Sequence, residues 1–348
     1  MNDLEKQNDR IIFIAEDISF PVDEGMKKFN YFLLRHLQSH YTEFKLYSFS
    51  NDYPNVNFGR ITGKSFVSLK LFRDIRNFHP RLIIYSPFSS GTLYSFLRLF
   101  FLKLASRSSK TILVNLQRRS HNVIFRKLIT MIRPSRVAVF SKKDHDYFSN
   151  MGIDTVFCRT GVDMNQFAPV SRERKGQLRR KYGLSESDRI VLHIGHLKTT
   201  RNIEMLKLLL TDGNKIVIVG STSTSQDKQL KDDLENAGIK IIAGYIEHIE
   251  ELYQLSDVYV FPVKNDHSAI EFPLSVLEAM ACNLPVVTTT YGSLPDFFVQ
   301  SSCFTYFSGQ QELLSLVRSA FFADCNNRHK ITEKFSWDTV FEEFFTKI

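Results

Sequence analysis

The stretch Ser256–Asp296, SDVYVFPVKNDHSAIEFPLSVLEAMACNLPVVTTTYGSLPD, combines two apolar, strand-like segments with a helix-like segment between them. Valine and aromatic residues are concentrated in these apolar segments, Asp257–Val263 and Leu284–Thr290, which predicts two buried strands. Pro273–Cys282 is interpreted as a short helix opened by proline, because the N–H that proline lacks would be unpaired at a first helical position. Strand, helix and strand in this order predict a βαβ unit of a parallel sheet.

Two acids lie in or near this helix. Glu278 stands on its otherwise apolar surface, where a carboxylate is costly unless it is hydrogen-bonded. Glu271 lies just upstream, in the loop that leads to the helix. Phe272, the expected N-cap, has no side-chain acceptor, so we expect the helix start to hold an anion. The residues of that start are Pro273, Leu274 and Ser275.

Length and composition predict a folded protein of two domains. The chain has 348 residues, 43% of them hydrophobic and 13% aromatic, which excludes a disordered chain. The cysteines Cys158, Cys282, Cys303 and Cys325 form no C-x-x-C pair, which argues against a zinc site or a disulfide framework and is typical of a reducing cytosol. Residues 1–10 are polar and show no signal peptide, so we expect a cytoplasmic location.

Positive charge is concentrated in the first half of the chain. Residues 1–150 hold 24 Lys/Arg and 12 Asp/Glu, whereas residues 151–348 hold 21 and 25. The excess lies in Arg60–Lys143, with 18 basic residues and one acid, Asp74. A nucleic-acid partner is disfavoured, because no RNP, zinc-finger or helix-turn-helix signature is present. Two interpretations of this charge stay open. One is a solvated basic face, and the other is a peripheral contact with the inner face of an anionic membrane. Each basic residue near such a membrane surface contributes about 1 kcal/mol to the free energy of binding.

The remaining sequence alternates strand-like and helix-like segments, which predicts two parallel sheets with ligands at their carboxyl edges. Predicted strands are Arg10–Asp17, Glu43–Ser50, Arg81–Tyr85, Thr111–Gln117, Arg136–Ser141, Ile190–Ile194, Lys215–Val219 and Ile239–Ala243. Predicted helices are Glu24–Tyr41, Thr92–Arg107, His121–Ile132, Asn202–Leu210, Gln226–Ala237 and Ile249–Leu255. Asn51–His79 shows no clear pattern. Thr92–Arg107 has no apolar run long enough to span a membrane, so it is a core helix with a basic edge or a helix on the bilayer surface.

The segment IEFPLSVLEAMACNLPVVTT, residues 270–289, resembles the signature of the family 4 retaining glycosyltransferases, sugar-nucleotide enzymes of the GT-B fold. Their pattern is a glutamate, seven residues, a second glutamate and an A-M-A-x-G-x-P-V-V continuation. Glu278 matches the second glutamate, and Asn283 replaces the glycine. Ile270 occupies the place of the first glutamate, and Glu271 follows one residue later.

Two further segments resemble this family and imply its domain organisation. Thr160–Pro169, TGVDMNQFAP, resembles the N-G-V-D-x-x-x-F-x-P segment that leads into the second domain, with Thr160 in place of asparagine. The end of the chain, FSWDTVFEEFFTKI, resembles the family's closing helix. The resemblance implies an α/β GT-B fold of two Rossmann-like, doubly wound parallel-sheet domains facing across a cleft. We expect them at residues 1–163 (acceptor side) and 164–334 (nucleotide sugar), with a helix at 335–348 packing back toward the first.

The resemblance also implies the donor-binding residues. Glu278 would accept the ribose hydroxyls, since charge-assisted hydrogen bonds contribute roughly 1.5–3 kcal/mol each. In IGHLKTTRN, Gly195 matches the family glycine, and His196 occupies the place of the family arginine. Arg201, just ahead of Asn202, occupies the place of the family lysine. Lys198 would compensate for His196, which is mostly neutral at pH 7. The remaining donor contacts implied are Gly25 in the first strand–helix loop, and Tyr245 and Ile246 at the turn that holds the base.

On the acceptor side, the resemblance points to the residues after the strand Thr111–Gln117. Gln117 takes the place of a family histidine near the donor sugar, and His121 follows four residues later. Arg118 and Arg119 are predicted phosphate or acceptor contacts. Asp144-His145-Asp146 imitates a D-x-D metal motif, but its place at a helix start favours helix N-terminal acids instead.

The implied activity is retaining transfer of a sugar from a UDP- or GDP-sugar to the hydroxyl of a glycan or lipid-linked acceptor, in cell-surface glycan or glycolipid biosynthesis. Arg201, Lys198, Glu271 and Gln117 are the predicted catalytic residues, and we expect neither a metal nor a cofactor beyond the nucleotide sugar. Two other hypotheses stay open. One is a catalytically silent GT-B subunit, because Ile270, His196 and Gln117 depart from the pattern. The other is a GT-B epimerase or phosphorylase.

Overall fold

A computed structural model describes residues 7, 9–49, 58–61, 68–88, 90–220 and 227–348. The chain divides into two compact units, of which unit 1 comprises Met1–Arg159 and Phe341–Ile348, and unit 2 comprises Thr160–Val340. The predicted ends at Ser50, of the second strand, and at Gln226, of the fifth helix, lie outside the described residues.

Unit 1 contains a parallel sheet, in agreement with the alternating pattern of its sequence. Its described strands are β1 Ile11–Ala15, β2 Phe44–Ser48, β3 Phe58–Arg60, β4 Leu82–Ser86, β5 Lys110–Val114, β6 Arg136–Val139 and β7 Thr155–Phe157. They lie in the order β3-β2-β1-β4-β5-β6-β7, and every pairing among them is parallel. Because β1 lies between strands on both sides, the order reverses there, as in doubly wound folds.

The helices of unit 1 cover this sheet with apolar side chains. They are α1 Gly25–His40, α2 Leu69–Phe78, α3 Leu93–Ala105, α4 Val123–Met131 and α5 Lys142–Ser149. Ile75 of α2, Phe96 of α3, Ile129 of α4 and Phe148 of α5 belong to one core, so these four helices share one face of the sheet. The buried Phe96, Leu99 and Leu102 confirm that α3 is a core helix.

Across the described residues, no helix is both long and apolar enough to cross a membrane.

Unit 2 contains a second parallel sheet with the strand order typical of a Rossmann fold. Its strands are β8 Ile190–Ile194, β9 Lys215–Gly220, β10 Lys240–Ala243, β11 Val258–Phe261, β12 Val286–Thr288 and β13 Phe304–Tyr306. In the part of unit 2 that the structure describes, six strands lie in the order β10-β9-β8-β11-β12-β13. This is the 3-2-1-4-5-6 order of dinucleotide-binding domains. The prediction of two Rossmann-like parallel-sheet domains is therefore confirmed.

The helices of unit 2 follow the strands, with one difference in type. They are α6 Arg172–Lys181, α7 Lys228–Asn236, α8 Glu250–Leu255, α9 Leu274–Ala281, α10 Leu294–Phe297, α11 Gln310–Ala320, α12 Asn327–Thr332 and the first residues of α13 Trp337–Thr346. The predicted α-helix Asn202–Leu210 is instead a pair of 3-10 helices, Thr199–Arg201 and Ile203–Asp212. Asn202 separates them with a left-handed φ of 59°, a conformation that asparagine tolerates better than most residues.

The expectation that the cysteines form no disulfide is wrong for one pair. Cys303 and Cys325 are bonded, with their Cα atoms 5.5 Å apart and a sequence separation of 22. The fold brings the residue before β13 next to the loop that precedes α12, a proximity that cysteine spacing does not reveal. Cys158 and Cys282 are free thiols and are buried.

Candidate functional site

Unit 2 buries Glu278 within α9. Every residue of this helix except Ser275 is buried, as expected of a helix that is apolar around its circumference. The Glu278 side chain is only 4% exposed, and its Oε2 accepts a 2.6 Å hydrogen bond from the Tyr253 hydroxyl of α8. Glu278 is therefore not a solvated acid on a helix surface. Its burial cost is offset by at least one hydrogen bond from a neutral donor.

The start of α9 lies one residue later than predicted. Pro273, with an extended ψ of 119°, is the N-cap, and its side chain makes no capping hydrogen bond. The helix proper opens with Leu274, which is buried, and Ser275, which is half-buried. No side-chain cap from Pro273 occupies their backbone N–H groups, and the positive end of the helix dipole lies there. This arrangement suits an anion.

The loop before α9 is fixed from both sides. The Glu271 carbonyl accepts hydrogen bonds from the Ser293 backbone N–H at 2.9 Å and from the Ser293 hydroxyl at 3.0 Å. Gly292 has a φ of 52°, and a side chain there would overlap with the Glu271 backbone. On the other side, the Thr160 hydroxyl donates to the Phe272 carbonyl at 3.1 Å. Glu271, displaced by one residue from the family pattern, is thus held as a buried residue beside the helix start.

Arg201 packs against Gly195 at the end of β8. The Arg201 side chain is buried, and its Nε donates to the Ser268 carbonyl at 3.0 Å. A side chain at Gly195 would overlap with Arg201 Nη1 and would lie 3.2 Å from His193 Nε2. The predicted pair of Gly195 and Arg201 is therefore brought together, and His193, which sequence reasoning missed, joins it. The available signal was a histidine inside the apolar strand IVLHI.

His193 is neutral in this environment. Complete burial, reinforced by the charge of Arg201, lowers its pKa from 6.5 to about 3. Its Nδ1 lies 2.9 Å from the Val260 carbonyl, which can only accept, so Nδ1 carries the proton and Nε2 is an acceptor.

The other predicted contacts of the 195–202 segment are less enclosed. Lys198 is exposed and His196 is half-buried. The Asn202 amide donates to the Pro262 carbonyl at 3.2 Å, which ties the 3-10 helices to the strand end.

The turn predicted to hold a base lies after β10. Gly244 has a φ of 123°, which favours glycine. Tyr245 is 57% exposed and Ile246 is half-buried, so both stand at the surface of unit 2.

In unit 1, the residues after β5 form a hydrogen-bonded loop. The Gln117 backbone N–H donates to the Ser90 hydroxyl at 2.9 Å, and its side-chain Oε1 accepts from Arg119 at 3.0 Å. Arg118 lies 3.9 Å from the buried carboxylate of Asp144, which also accepts from an asparagine amide. Asp144 stands in the first turn of α5, which agrees with a helix N-terminal acid. Within the described residues, no three His, Cys, Asp or Glu side chains are placed to hold a metal ion.

His121 is buried rather than exposed in a loop. The Tyr147 hydroxyl accepts from the His121 backbone N–H at 3.1 Å and lies 2.9 Å from its Nδ1. Nε2 lies 2.8 Å from the Gly91 carbonyl, an acceptor, so Nε2 carries the ring proton and the tyrosine donates to Nδ1. Burial lowers the pKa of His121. Both ring nitrogens are thus engaged inside unit 1, and His121 connects three of its segments.

Gly25 is the first residue of α1 rather than a residue of the preceding loop. Glu24, the N-cap, makes no side-chain capping hydrogen bond. Gly25 therefore stands at a helix start, where the backbone N–H groups point outward.

Comparison with known proteins relates most of unit 2 to glycosyltransferases. Residues 174–334 match the family model of the glycosyl transferases group 1. The N-acetyl-alpha-D-glucosaminyl L-malate synthase of Bacillus anthracis is 27% identical over 126 residues, 34% of this chain and 32% of that protein. An uncharacterized glycosyltransferase of Methanocaldococcus jannaschii is 27% identical over 194 residues, 50% of this chain and 48% of that protein. The chain thus matches between a third and a half of the length of these relatives.

A solved structure shows the same fold over nearly the whole chain. Anabaena Alr3699/HepE, crystallised in complex with UDP, superposes with a TM-score of 0.76 at 15% identity, covering 97% of this chain and 100% of that one. The fold resemblance and the family match agree with the motifs in the sequence. Residues 174–334 thus resemble the group 1 glycosyltransferases, and the two Rossmann-like parallel sheets show the GT-B fold of the solved neighbour.

Proposed function

We propose that this protein is a retaining glycosyltransferase that moves a sugar from a UDP- or GDP-sugar to an acceptor hydroxyl, in cell-surface glycan or glycolipid biosynthesis. The observation that carries the proposal is the buried Glu278, held by Tyr253 in the helix whose start is uncapped, inside the segment that matches the family. The solved neighbour from Anabaena binds UDP and UDP-glucose.

Each part of a nucleotide sugar has a counterpart among these residues. Glu278 accepts the ribose hydroxyls, and Arg201 together with the start of α9 faces the diphosphate. In the transfer, the bond from the anomeric carbon to the phosphate oxygen breaks, and the acceptor oxygen bonds the same face of that carbon. The acceptor proton passes to the leaving phosphate, whose charge is stabilised by Arg201, by the exposed Lys198 and by the helix dipole.

The remaining contacts are proposed from the same resemblance to the family motifs. Glu271 is proposed on the sugar side of the α9 start, and Tyr245 and Ile246 at the base. In unit 1 we propose Gly25 at the phosphates, Gln117 at the sugar, and Arg118 and Arg119 at the acceptor. Transfer is expected to continue in excess EDTA, and its loss would contradict a metal-independent reaction.

Binding and transfer assays test this proposal directly. UDP, GDP and ADP, free and as sugar nucleotides, are compared by thermal shift and calorimetry, and the best donor is then used for transfer. Glu278→Ala is expected to abolish transfer while the protein stays folded. Glu235→Ala, which removes an exposed acid of α7, is the matched control and should behave like the wild type. A Glu278→Ala protein with normal nucleotide affinity and activity would remove the ribose assignment.

A silent subunit is the second candidate. Its supporting observations are the departures at Ile270, His196 and Gln117 from the family pattern. It predicts nucleotide binding without transfer or hydrolysis of any sugar donor, and a single turnover detected with any donor excludes it.

We further propose that unit 1 contacts an anionic membrane through α4. All nine residues of α4 are described, and Ile129 is the one that is buried. Val123 is 63% exposed, Ile124 69% and Met131 79%, beside the exposed Arg126 and Lys127. The sequence has no acid between Ile75 and Lys143. Apolar side chains at the surface of a basic region suit the interface of an anionic bilayer, where lipid tails cover them and headgroups pair the charges.

Liposome sedimentation tests the membrane proposal. The protein is expected to pellet with phosphatidylserine-containing vesicles in low salt, to be released in high salt and to ignore pure phosphatidylcholine. Ile124→Asp should abolish pelleting, whereas Val299→Asp, at an exposed apolar residue of unit 2, should not. Pelleting to the same extent with neutral and anionic vesicles would overturn the proposal. Self-association in sedimentation velocity that Ile124→Asp abolishes would also overturn it, because a second copy would then cover the α4 surface.

A further inference from the structure

We infer that Tyr253 is a positioning residue for Glu278 and thereby sets the preference of this site for ribonucleotides over 2′-deoxyribonucleotides. The inference rests on the proposed function, because it assigns Glu278 to the ribose. Tyr253 acts through the carboxylate and need not contact the nucleotide itself.

The contact between the two side chains is direct and buried. Tyr253 Oη and Glu278 Oε2 are 2.6 Å apart, a short distance typical of a hydroxyl that donates to a charged acceptor. Tyr253 is completely buried. Since the two residues come from neighbouring helices, α8 and α9, their hydrogen bond joins those helices at the carboxylate.

The tyrosine ring is itself held in place. Phe167 packs against it edge-on, with ring centroids 5.6 Å apart, and the Tyr259 ring lies 5.8 Å away on a tilted plane. Buried aromatic rings with such neighbours have few alternative rotamers. The hydroxyl therefore points at Glu278 before any ligand arrives.

The phenol remains a donor throughout the working pH range. Burial first, and the nearby charge of Glu278 second, raise the pKa of Tyr253 well above its ordinary value. A phenol has one proton to donate, and the carboxylate is the acceptor in contact with it.

Fixing one oxygen determines where the carboxylate can accept further hydrogen bonds. Tyr253 restrains one of the two carboxylate oxygens, so removing its hydroxyl loosens the last torsion of Glu278, and a ribose diol would have to restrict that motion on binding. With it, the plane of the carboxylate is set in advance, so that both ribose hydroxyls meet acceptors in the right directions. A 2′-deoxyribose lacks one of those hydroxyls and gains less from the preorganised carboxylate.

Calorimetry with UDP and 2′-deoxy-UDP, and with GDP and 2′-deoxy-GDP, tests the inference. The wild type is expected to bind the ribonucleotide roughly 10-fold or more tightly than its deoxy counterpart, the size of one charged hydrogen bond. Tyr253→Phe should weaken the ribonucleotide by about 10-fold and leave the deoxynucleotide nearly unchanged, so that the preference is lost. A purely structural loss would weaken both nucleotides equally and keep their ratio, which would overturn the inference.

The chain supplies a matched control. Tyr182 donates to Glu251 at 2.9 Å in the same unit, and Tyr182→Phe removes an equivalent tyrosine–glutamate bond away from α9. We expect this variant to keep the wild-type ratio, and a changed ratio would count against the inference. Phe167→Leu removes a ring that packs against Tyr253 without changing Tyr253 or Glu278. It should therefore also lower the ratio of ribonucleotide to deoxynucleotide affinity. It also keeps the inference testable if Tyr253→Phe does not fold.

The failure of the inference can be told apart from that of the proposed function. A wild type that binds no nucleotide overturns both. A wild type that binds the ribonucleotide and its 2′-deoxy counterpart equally removes Glu278 from the ribose and overturns the inference, while sugar transfer can still be measured. A wild type that prefers ribose, with the preference intact in Tyr253→Phe, overturns the inference alone.

Discussion

Replacing Gly195 by alanine is predicted to damage nucleotide binding without damaging the fold. The added methyl group would overlap with Arg201 Nη1, well inside the 3.0 Å that real Cβ atoms essentially never cross. On its other side, at 3.2 Å, stands the buried His193 ring. The guanidinium is the end of a flexible side chain, so it moves and the ring stays. Arg201 must then leave its place by roughly 1 Å, a misplacement that can cost on the order of 100-fold in a catalytic site.

The expected loss of nucleotide affinity follows from the hydrogen bond that the displaced Arg201 can no longer make. A hydrogen bond to a charged group contributes about 1.5–3 kcal/mol, which corresponds to roughly a 10- to 150-fold weaker nucleoside diphosphate. Stability should change far less, because alanine also lowers the entropy of the unfolded chain by about 0.4–1 kcal/mol, which offsets part of the displacement. The positive-φ restriction that forbids alanine at other glycines is absent at Gly195.

Calorimetry with UDP and GDP measures the affinity, and urea unfolding measures the stability. Gly309→Ala is the control, because no neighbouring atom lies within 4 Å of its added methyl group. In an Arg201→Ala background, Gly195→Ala should cause no further loss, since the group it displaces is gone. A folded Gly195→Ala protein with wild-type affinity, or losses that simply add in the double variant, would refute this reasoning.

Two other predictions concern stability. Asn283 has a φ of 60° and its Oδ1 accepts from the Arg328 backbone N–H at 2.8 Å, so Asn283→Ala should cost about 1–3 kcal/mol in urea unfolding, whereas Asn283→Gly should cost less. Equal losses would exclude a conformational role. Burial lowers the pKa of His36 and of His193 from 6.5 to about 3, so below pH 6.5 the unfolded chain binds protons that the folded chain does not. The free energy of unfolding should therefore fall by about 2 kcal/mol per histidine between pH 6.5 and pH 5, and His36→Phe should remove its share of that slope; an unchanged slope would contradict the burial argument.

The strands of both sheets are predictable where they are buried on two faces. β1, β4, β8 and β11 read as continuous apolar runs, and their predicted and observed ranges overlap. β3 was missed because Phe58–Arg60 has only three residues, none of them buried. Such a strand carries neither an apolar run nor an alternation, and it forms because β2 offers it a parallel partner.

For the candidate site, the sequence predicted individual residues but not their contacts with one another. Glu278 and Arg201 could be singled out as candidates because their positions in short motifs are fixed relative to a strand end or a helix start. Their partners could not: Tyr253 precedes Glu278 by 25 residues and Ser268 follows Arg201 by 67. A hydrogen bond at such separation depends on how two helices or two loops pack, and sequence periodicity does not report packing.

Departures from a motif do not all have the same weight, and the structure separates them by what each residue holds. Asn283 replaces a glycine but keeps the left-handed backbone that the position requires, since asparagine tolerates it. Thr160 replaces an asparagine, and its hydroxyl donates to the Phe272 carbonyl beside the α9 start. These two substitutions support the backbone of the site, so they give no reason to expect a loss of activity. His196 and Gln117, by contrast, replace side chains predicted to touch the donor, and only they bear on whether the chain transfers sugar or merely binds a nucleotide.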